Sequence, residues 1–216
     1  MTRVKVLIFD IDLTICDNFD RKRKAIERVF GKGIGETQWS YIKYEYGFGK
    51  ILKKLQIKSN HDNIINEMLN HFLYDEDLFK LDVPFKMAVD VLNRLSDKYE
   101  IYYLTGRPVH STAVDFITKF GFPEGKIFSE KIGLGESSKK SELIREIVKI
   151  SKIIPQEGVS IADLPGDALA AKKAGVVAVG TYEAHLDMMC ELEELCDYVI
   201  GKIDELPEVI DQIQFR

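Results

Sequence analysis

Hydrophobic residues in this chain occur either in short continuous runs or in longer stretches with apolar positions three or four apart. The short runs are typical of strands that are buried on both faces of a parallel sheet. The clearest of them are Val4–Phe9, Glu100–Leu104, Gly158–Ala162 and Val176–Gly180, with a weaker run near Tyr198. The pattern predicts at least four strands, the first of which begins almost at the N-terminus.

Helix-like segments separate these runs. The predicted helices are Phe85–Leu95, Ser111–Phe120, Glu142–Ile150 and Ala168–Ala174. Strands that alternate with helices indicate a parallel sheet with helices on both faces. We therefore predict an α/β fold with a Rossmann-like core.

Residues 17–82 interrupt this alternation. The stretches "RKRKAIERVF", "SYIKYEYGFGKILKKL" and "NIINEMLNHFLY" carry apolar residues at helical spacing and contain no strand-like run. We predict a core domain formed by residues 1–16 and 83–216, with an all-helical subdomain at 17–82 inserted after the first strand. Within the insertion, we expect the basic run Arg21–Lys24 to lie on a solvated helix face.

The first polar residues after each predicted strand are rich in carboxylates. They are Asp10 and Asp12 after the first strand, Thr105, Gly106 and Arg107 after the second, and Asp163 and Asp167 after the third, with Lys139 and Lys140 opening the helix before the third strand. The carboxyl ends of parallel strands meet at one edge of a sheet, where ligands bind, so we expect these groups to share one pocket.

This combination of groups suits a divalent cation and a phosphoryl group. Clustered carboxylate oxygens are the ligands that Mg²⁺ prefers, and a bound ion would offset the repulsion between Asp10 and Asp163. A hydroxyl and a lysine nearby would hold a second anion, most simply a phosphoryl group. For Thr105 an ordinary strand residue is the alternative, and for Asp167 a helix N-cap.

Four segments resemble the motifs of the haloacid dehalogenase superfamily, in its phosphatase branch. "DIDLT" is similar to the first motif, Thr105 in "YYLTGRP" to the second, "SSKKSELIREI" to the third and "IADLPGDALAAKKAGV" to the fourth. Ala162 stands where the family often has glycine. The insertion at 17–82 lies where phosphoglycolate phosphatase-like members place a helical C1-type cap.

The resemblance implies a role for each motif residue. Asp10 would be the nucleophile that forms an aspartyl-phosphate, and Asp12 the general acid and base. Thr105, Gly106 and Lys140 would hold the phosphoryl group. Asp10, the Asp12 backbone carbonyl, Asp163 and Asp167 would surround Mg²⁺. Dehalogenating members lack the second aspartate, so Asp12 favours phosphoryl chemistry.

The third motif offers two adjacent lysines. Lys140 precedes Leu143, Ile144 and Ile147 at helical spacing, so it lies on the apolar face of the helix. Lys139 aligns with Leu143 but also with Glu142 and Glu146, nearer the outer face. We favour Lys140 as the motif lysine, with Lys139 as the alternative.

Composition narrows the class of partner. The chain has 216 residues, of which 45% are hydrophobic and 30% charged, and its net charge of −5 does not suggest nucleic acid as a partner. No apolar run has the length of a membrane span, and the first strand leaves no room for a cleavable signal, so we expect a cytoplasmic protein. Cys16, Cys190 and Cys196 are expected to be reduced.

The resulting hypothesis is a Mg²⁺-dependent phosphomonoester hydrolase, a monomer or homodimer, that acts on a small phosphorylated metabolite. A phosphomutase for sugar phosphates would use the same core residues. A receiver-like phosphorylation switch is disfavoured by the helical insertion, and a non-catalytic scaffold by the intact motifs. Aromatic residues of the insertion, from Trp39 to Phe48, would form either the core of the cap or a contact to the leaving group.

Overall fold

The computed structural model describes residues 3–45, 47–57, 61–108, 110–129 and 139–214. Its strands are β1 (Val6–Asp10), β2 (Cys16–Asp17), β3 (Val83–Pro84), β4 (Glu100–Thr105), β5 (Lys126–Ser129), β6 (Gly158–Ala162), β7 (Val177–Thr181) and β8 (Tyr198–Ile200). Its α-helices are α1 (Phe19–Phe30), α2 (Glu36–Ile42), α3 (Phe48–Lys54), α4 (His61–Tyr74), α5 (Glu76–Phe79), α6 (Ala88–Ser96), α7 (His110–Phe120), α8 (Lys140–Ile150), α9 (Pro165–Ala174), α10 (Met189–Leu195) and α11 (Leu206–Gln214).

The described residues form two compact units. One contains the chain up to Cys16 together with the chain from Pro84 onward, and the other contains Asp17–Val83. The boundaries fall within β2 and β3, which pair as a two-stranded sheet.

The first unit is built on a parallel sheet. Among the described residues, six strands pair in the order β5-β4-β1-β6-β7-β8. Every residue of β1 is buried, because the sheet is covered on both faces. Leu7 and Phe9 pack into one hydrophobic cluster, whereas Val6 and Ile8 pack into the other, on the opposite face. The predicted α/β, Rossmann-like fold class is confirmed.

Several boundaries differ from the sequence prediction. β1 begins at Val6 rather than Val4, α6 begins at Ala88 rather than Phe85, and α9 begins at Pro165 rather than Ala168. Pro165 is well suited to the first turn of a helix, where its missing N–H has no partner to lose. One strand, β5, was not predicted; it has four residues, whose side chains are half-buried or exposed at the edge of the sheet.

The second unit is helical and contains α1 to α5. The predicted helix over "SYIKYEYGFGKILKKL" is two helices, since α2 ends at Ile42 and Gly47, with φ of +80°, precedes α3. Trp39 and Phe48 belong to the buried core of this unit, whereas Tyr41 and Tyr44 are exposed. Tyr46 lies outside the described residues.

The expectation of a solvated basic face at Arg21–Lys24 was wrong for its first half. Arg21 is 1% exposed, and its Nε lies 3.1 Å from Oδ1 of Asp82. Its guanidinium lies between the rings of Phe72 and Phe79, at 4.3 and 4.2 Å from their centroids. Lys22 is also buried, with its Nζ donating to backbone carbonyl oxygens at the end of α2 and beyond it. The charge of Arg21 and Lys22 predicted an exposed position for both. Both are buried because they have polar partners distant in sequence, which the local pattern does not show.

The described residues contain neither a membrane-spanning helix nor a disulfide bond. None of the described helices combines the length and apolar character needed to cross a membrane. Cys16, Cys190 and Cys196 are free thiols.

Candidate active site

The site lies at the carboxyl edge of the sheet, around the last residue of β1. Asp10 is aligned with Leu104 of β4, which places Thr105 one residue further along the neighbouring strand. On the other side Phe9 is aligned with Ile161 of β6, and Asp163 follows shortly after that strand ends. The central position of β1 therefore brings Asp10, Thr105 and Asp163 to one edge, as the strand pattern predicts.

Lys140 forms ion pairs with two of the carboxylates. Its Nζ donates to Oδ1 of Asp10 at 2.8 Å and to Oδ2 of Asp167 at 2.6 Å, and all three side chains are buried. Burial opposes the charged form of Lys140, but the two carboxylates outweigh that effect and raise its pKa above the usual value. Lys139 is the exposed N-cap residue of α8. The geometry thus brings Lys140, rather than Lys139, to Asp10.

Three buried carboxylates converge beside this lysine. One oxygen from each of Asp10, Asp163 and Asp167 lies within 4.8 Å of the others. The hydroxyl of Thr14 donates to Oδ1 of Asp163 at 3.3 Å, and Nε2 of the buried His185 lies 3.6 Å from Oδ2 of the same carboxylate. Asp167 lies in the first turn of α9, whose N-cap is Leu164, so the alternative of an Asp167 N-cap was wrong.

Burial and mutual repulsion disfavour charge in this cluster. Burial raises the pKa of Asp10 to about 7, even though Lys140 opposes the rise. Burial also raises the pKa of Asp163 well above its ordinary value, and the charges of Asp10 and Asp167 add to the effect. Three carboxylates facing one ammonium group leave an excess of negative charge in a small buried space. Their donor atoms are all hard oxygens, so the cluster fits Mg²⁺, with Asp10, Asp163 and Asp167 as the residues that would hold it.

Asp12 faces a different cation. Its carboxylate is 26% exposed and accepts two hydrogen bonds from Arg107, from Nε to Oδ2 at 2.8 Å and from Nη2 to Oδ1 at 2.9 Å. The backbone turns sharply just after Asp12, because Leu13 has a φ of +62° and its N–H donates to the Cys16 carbonyl. The two motif aspartates therefore have separate partners: Asp10 pairs with Lys140 and Asp12 with Arg107.

Thr105 and Gly106 form the turn that leaves β4. Thr105 is fully buried, and its Oγ1 accepts a hydrogen bond from the backbone N–H of Arg107 at 3.2 Å. Gly106 is half-buried. The hydroxyl of Thr105 thus has a fixed position at the strand end, which is unlike an ordinary β-branched strand residue that packs through its methyl group alone.

Three residues that contact the site had no predicted role. Arg107 lies two residues after Thr105 of the second motif, Thr14 closes the first motif, and His185 lies a few residues beyond β7. The strand-end rule applied to β7 as well would have drawn attention to His185. The partner of Arg107 is Asp12, and no local pattern reports that pairing. Ser137 and Ser138 of the third motif lie outside the described residues.

Comparison with known proteins supports the same family. A family model described as haloacid dehalogenase-like hydrolase matches residues 7–181. A curated relative, glyceraldehyde 3-phosphate phosphatase from Pyrococcus furiosus, is 24% identical over 234 aligned residues, covering 98% of this chain and 95% of the relative.

Solved structures of the same fold align over nearly the whole chain. One, described as a predicted phosphoglycolate phosphatase from Haemophilus somnus, has a TM-score of 0.72 at 16% identity, with 97% of this chain and 99% of that chain covered. Another, a haloacid dehalogenase-like hydrolase from Streptococcus pneumoniae, has a TM-score of 0.69 at 18% identity, with 97% and 99% covered. The resemblance drawn from the motifs is confirmed, and this chain belongs to the haloacid dehalogenase-like hydrolase family.

Proposed function

We propose that this phosphatase of the haloacid dehalogenase-like family hydrolyses a small phosphate monoester with Mg²⁺ and through an aspartyl-phosphate on Asp10. The observation that supports the proposal most is the contact of Lys140 with both Asp10 and Asp167 beside Asp163. A buried lysine that holds a buried carboxylate at the end of a central strand fixes a nucleophile and leaves cationic charge where a phosphoryl group would arrive.

In the first step, a carboxylate oxygen of Asp10 attacks phosphorus as the bond from phosphorus to the leaving oxygen breaks. Because Lys140 holds Oδ1, we assign the attack to Oδ2. Asp12 donates a proton to the leaving oxygen, which departs as an alcohol. Thr105 and the N–H of Gly106 bind the oxygens of the transferred group, over which charge is spread in the transition state.

In the second step, water attacks the phosphorus of the aspartyl-phosphate and gives its proton to Asp12. The bond from phosphorus to Asp10 breaks, so that inorganic phosphate leaves and both aspartates return to their starting state. When bound by Asp10, Asp163, Asp167 and the backbone carbonyl of Asp12, Mg²⁺ would supply positive charge that neutralises phosphate oxygens. Lys140 adds to that charge throughout the cycle.

We propose that the helical unit, Asp17–Val83, is the cap of this enzyme and favours small substrates. Its place in the sequence, directly after the first motif, supports this role. The relative from Pyrococcus furiosus is named for glyceraldehyde 3-phosphate, so triose phosphates are the first compounds to assay. Exposed Tyr41 and Tyr44 are candidates for a contact to the leaving group, whereas Trp39 and Phe48 are core residues.

The test is the release of inorganic phosphate from triose phosphates, phosphoglycolate and sugar phosphates, with Mg²⁺ and with excess chelator. We expect metal-dependent release from at least one of these small esters and none from the Asp10→Asn variant. A phosphate group that moves within a sugar phosphate without release would identify a phosphomutase instead. Activity that survives in Asp10→Asn would refute the mechanism.

A further inference from the structure

Arg107 is a buried arginine whose position is fixed by the core of the enzyme. Its side chain is 2% exposed, its Nη1 donates to the carbonyl of Thr112 at 3.1 Å, and its guanidinium lies 5.3 Å from the ring centroid of Phe116. Nη2 also lies 3.4 Å from Sγ of Cys16. The contacts from α7 hold the guanidinium independently of Asp12, and Cys16, the first residue of β2, adds a further contact.

Asp12 by contrast reaches the guanidinium from a partly exposed loop. Its two oxygens accept parallel hydrogen bonds at 2.8 and 2.9 Å, the geometry in which a planar guanidinium recognises a carboxylate most specifically. Two such bonds fix both torsion angles of the short Asp12 side chain. Because the Arg107 guanidinium is held by the core and the Asp12 carboxylate is partly exposed, Arg107 determines where the carboxylate lies.

We propose that Arg107 is the positioning residue for Asp12 and keeps its carboxylate where it exchanges a proton with the leaving oxygen and then with water. The inference rests on the proposed function, in which Asp12 is the general acid and base. It adds a residue to the reaction that acts through Asp12 rather than through the substrate. An error of about 1 Å in such a group is enough to lower catalysis strongly.

A direct contact between Arg107 and substrate phosphate is disfavoured by the same geometry. Donors on all three guanidinium nitrogens are engaged by Asp12, Thr112 and Cys16, and the side chain is almost completely buried. An incoming phosphate would have to displace Asp12 to reach it. Arg107 also belongs to the turn that holds Thr105, since its backbone N–H donates to the Thr105 hydroxyl. Its backbone therefore supports one motif while its side chain supports another.

The test compares esters that differ in how much they need a proton on the leaving group. Nitrophenyl phosphate releases a stable phenolate, whereas an alkyl phosphate requires protonation of its oxygen. General acid catalysis contributes about 10²–10⁴-fold, so Arg107→Ala should lose about 100-fold or more in kcat/KM with the alkyl ester and under about 10-fold in kcat/KM with nitrophenyl phosphate. The comparison uses kcat/KM because it reports the steps up to release of the leaving group, whereas kcat also contains hydrolysis of the aspartyl-phosphate, which needs Asp12 with either ester. Arg107→Lys serves as a second variant, because it keeps the positive charge but cannot donate two parallel hydrogen bonds to Asp12. It too should lose more activity with the alkyl ester than with nitrophenyl phosphate.

Two further measurements separate positioning from a general structural role. Guanidinium, at concentrations far below those that denature, should restore part of the alkyl phosphatase activity of Arg107→Ala, whereas urea, a neutral molecule of similar shape, should not. In an Asp12→Asn background, Arg107→Ala should cause no further loss with nitrophenyl phosphate, because the residue acts through Asp12. Arg94→Ala, at an exposed position of α6, is the matched control and should retain wild-type rates.

Equal losses in kcat/KM with both esters, or a full additional loss in the Asp12→Asn background, would overturn the proposal and indicate a structural or substrate-binding role. The proposed function is checked in the same experiment, since wild-type protein must hydrolyse nitrophenyl phosphate with Mg²⁺ and Asp10→Asn must not. Wild-type protein that releases phosphate from neither nitrophenyl phosphate nor any of the small esters would refute the function and this inference together. Active wild-type protein with equal losses in both Arg107 variants would refute this inference alone.

Discussion

Replacing Lys140 with methionine should destabilise the metal-free protein strongly. Methionine has nearly the length of lysine, so the change removes the charge with little change in volume. Among the described residues, Lys140 forms the ion pairs of both Asp10 and Asp167, and all three side chains are buried. The substitution would leave three carboxylates facing one another without this ammonium group.

The size of the effect follows from the burial of the pair. Removing one partner of a buried ion pair costs about 3–5 kcal/mol, because the charge that remains is not compensated. In a protein of this size each kcal/mol lowers Tm by about 2–4 °C, so the expected fall is about 6–20 °C. Lys139→Met, one residue earlier and exposed, is the matched control and should melt at the wild-type temperature.

The assay is thermal denaturation in excess chelator at pH 8, above the raised pKa of about 7 for Asp10, so that its carboxylate stays ionised in wild-type protein. Chelator is essential, since a bound divalent cation would replace the missing charge. If Lys140→Met and Lys139→Met melt within a degree or two of each other, the lysine does not offset the repulsion among the carboxylates. The electrostatic account of the site would then be wrong.

Three other substitutions test separate parts of the structure by thermal denaturation. Asp163→Asn should abolish the rise in Tm caused by Mg²⁺ without lowering the metal-free Tm, because it removes a ligand and a repulsive charge together; a retained Mg²⁺ shift would refute the metal site. Asp82→Ala should cost about 3–5 kcal/mol by removing the buried carboxylate beside the charge of Arg21, whereas Asp77→Ala, in an exposed pair, should leave Tm unchanged. Gly125→Ala should cost about 1–3 kcal/mol, since its new Cβ would lie 2.6 Å from the Ile101 carbonyl oxygen, whereas Gly33→Ala meets only ordinary contacts; equal Tm values for the two glycine variants would contradict this.

Strands that are buried on both faces could be predicted from sequence because their hydrophobic runs are continuous. β6 is observed over the predicted residues, Gly158–Ala162, and its position fixes Asp163. β5 was missed because an edge strand is covered incompletely, so "KIFS" carries too few apolar residues to stand out. The first turn of α9 was also missed, so that the helix begins at Pro165 rather than at the predicted Ala168. That turn contains polar Asp167 and too few apolar residues to show a helical pattern.

The site was predictable as far as topology brings strand ends together. Asp10 and Lys140 are far apart in sequence, yet the strand-end rule and the face of α8 predicted that they would meet. Arg107 and Asp12 follow neighbouring strands of the same sheet and were equally close by that rule. Their pairing could not be read from sequence because it depends on side-chain direction, which α7 and the loop after β1 determine. The contact of buried Arg21 with Asp82 in the helical unit could not be predicted from sequence for the same reason.

The most direct test of the proposed mechanism is to trap the phosphorylated enzyme. Wild-type protein and Asp12→Asn would be mixed with Mg²⁺ and nitrophenyl phosphate, whose leaving group needs no proton from Asp12, then quenched with acid within the time of one wild-type turnover, digested and analysed by mass spectrometry. We predict one phosphoryl group on the peptide that contains Asp10, at low occupancy in wild-type protein and at higher occupancy in Asp12→Asn, where the general base for hydrolysis is missing. Turnover without phosphorylation of Asp10, or with the phosphoryl group on another residue, would contradict the account.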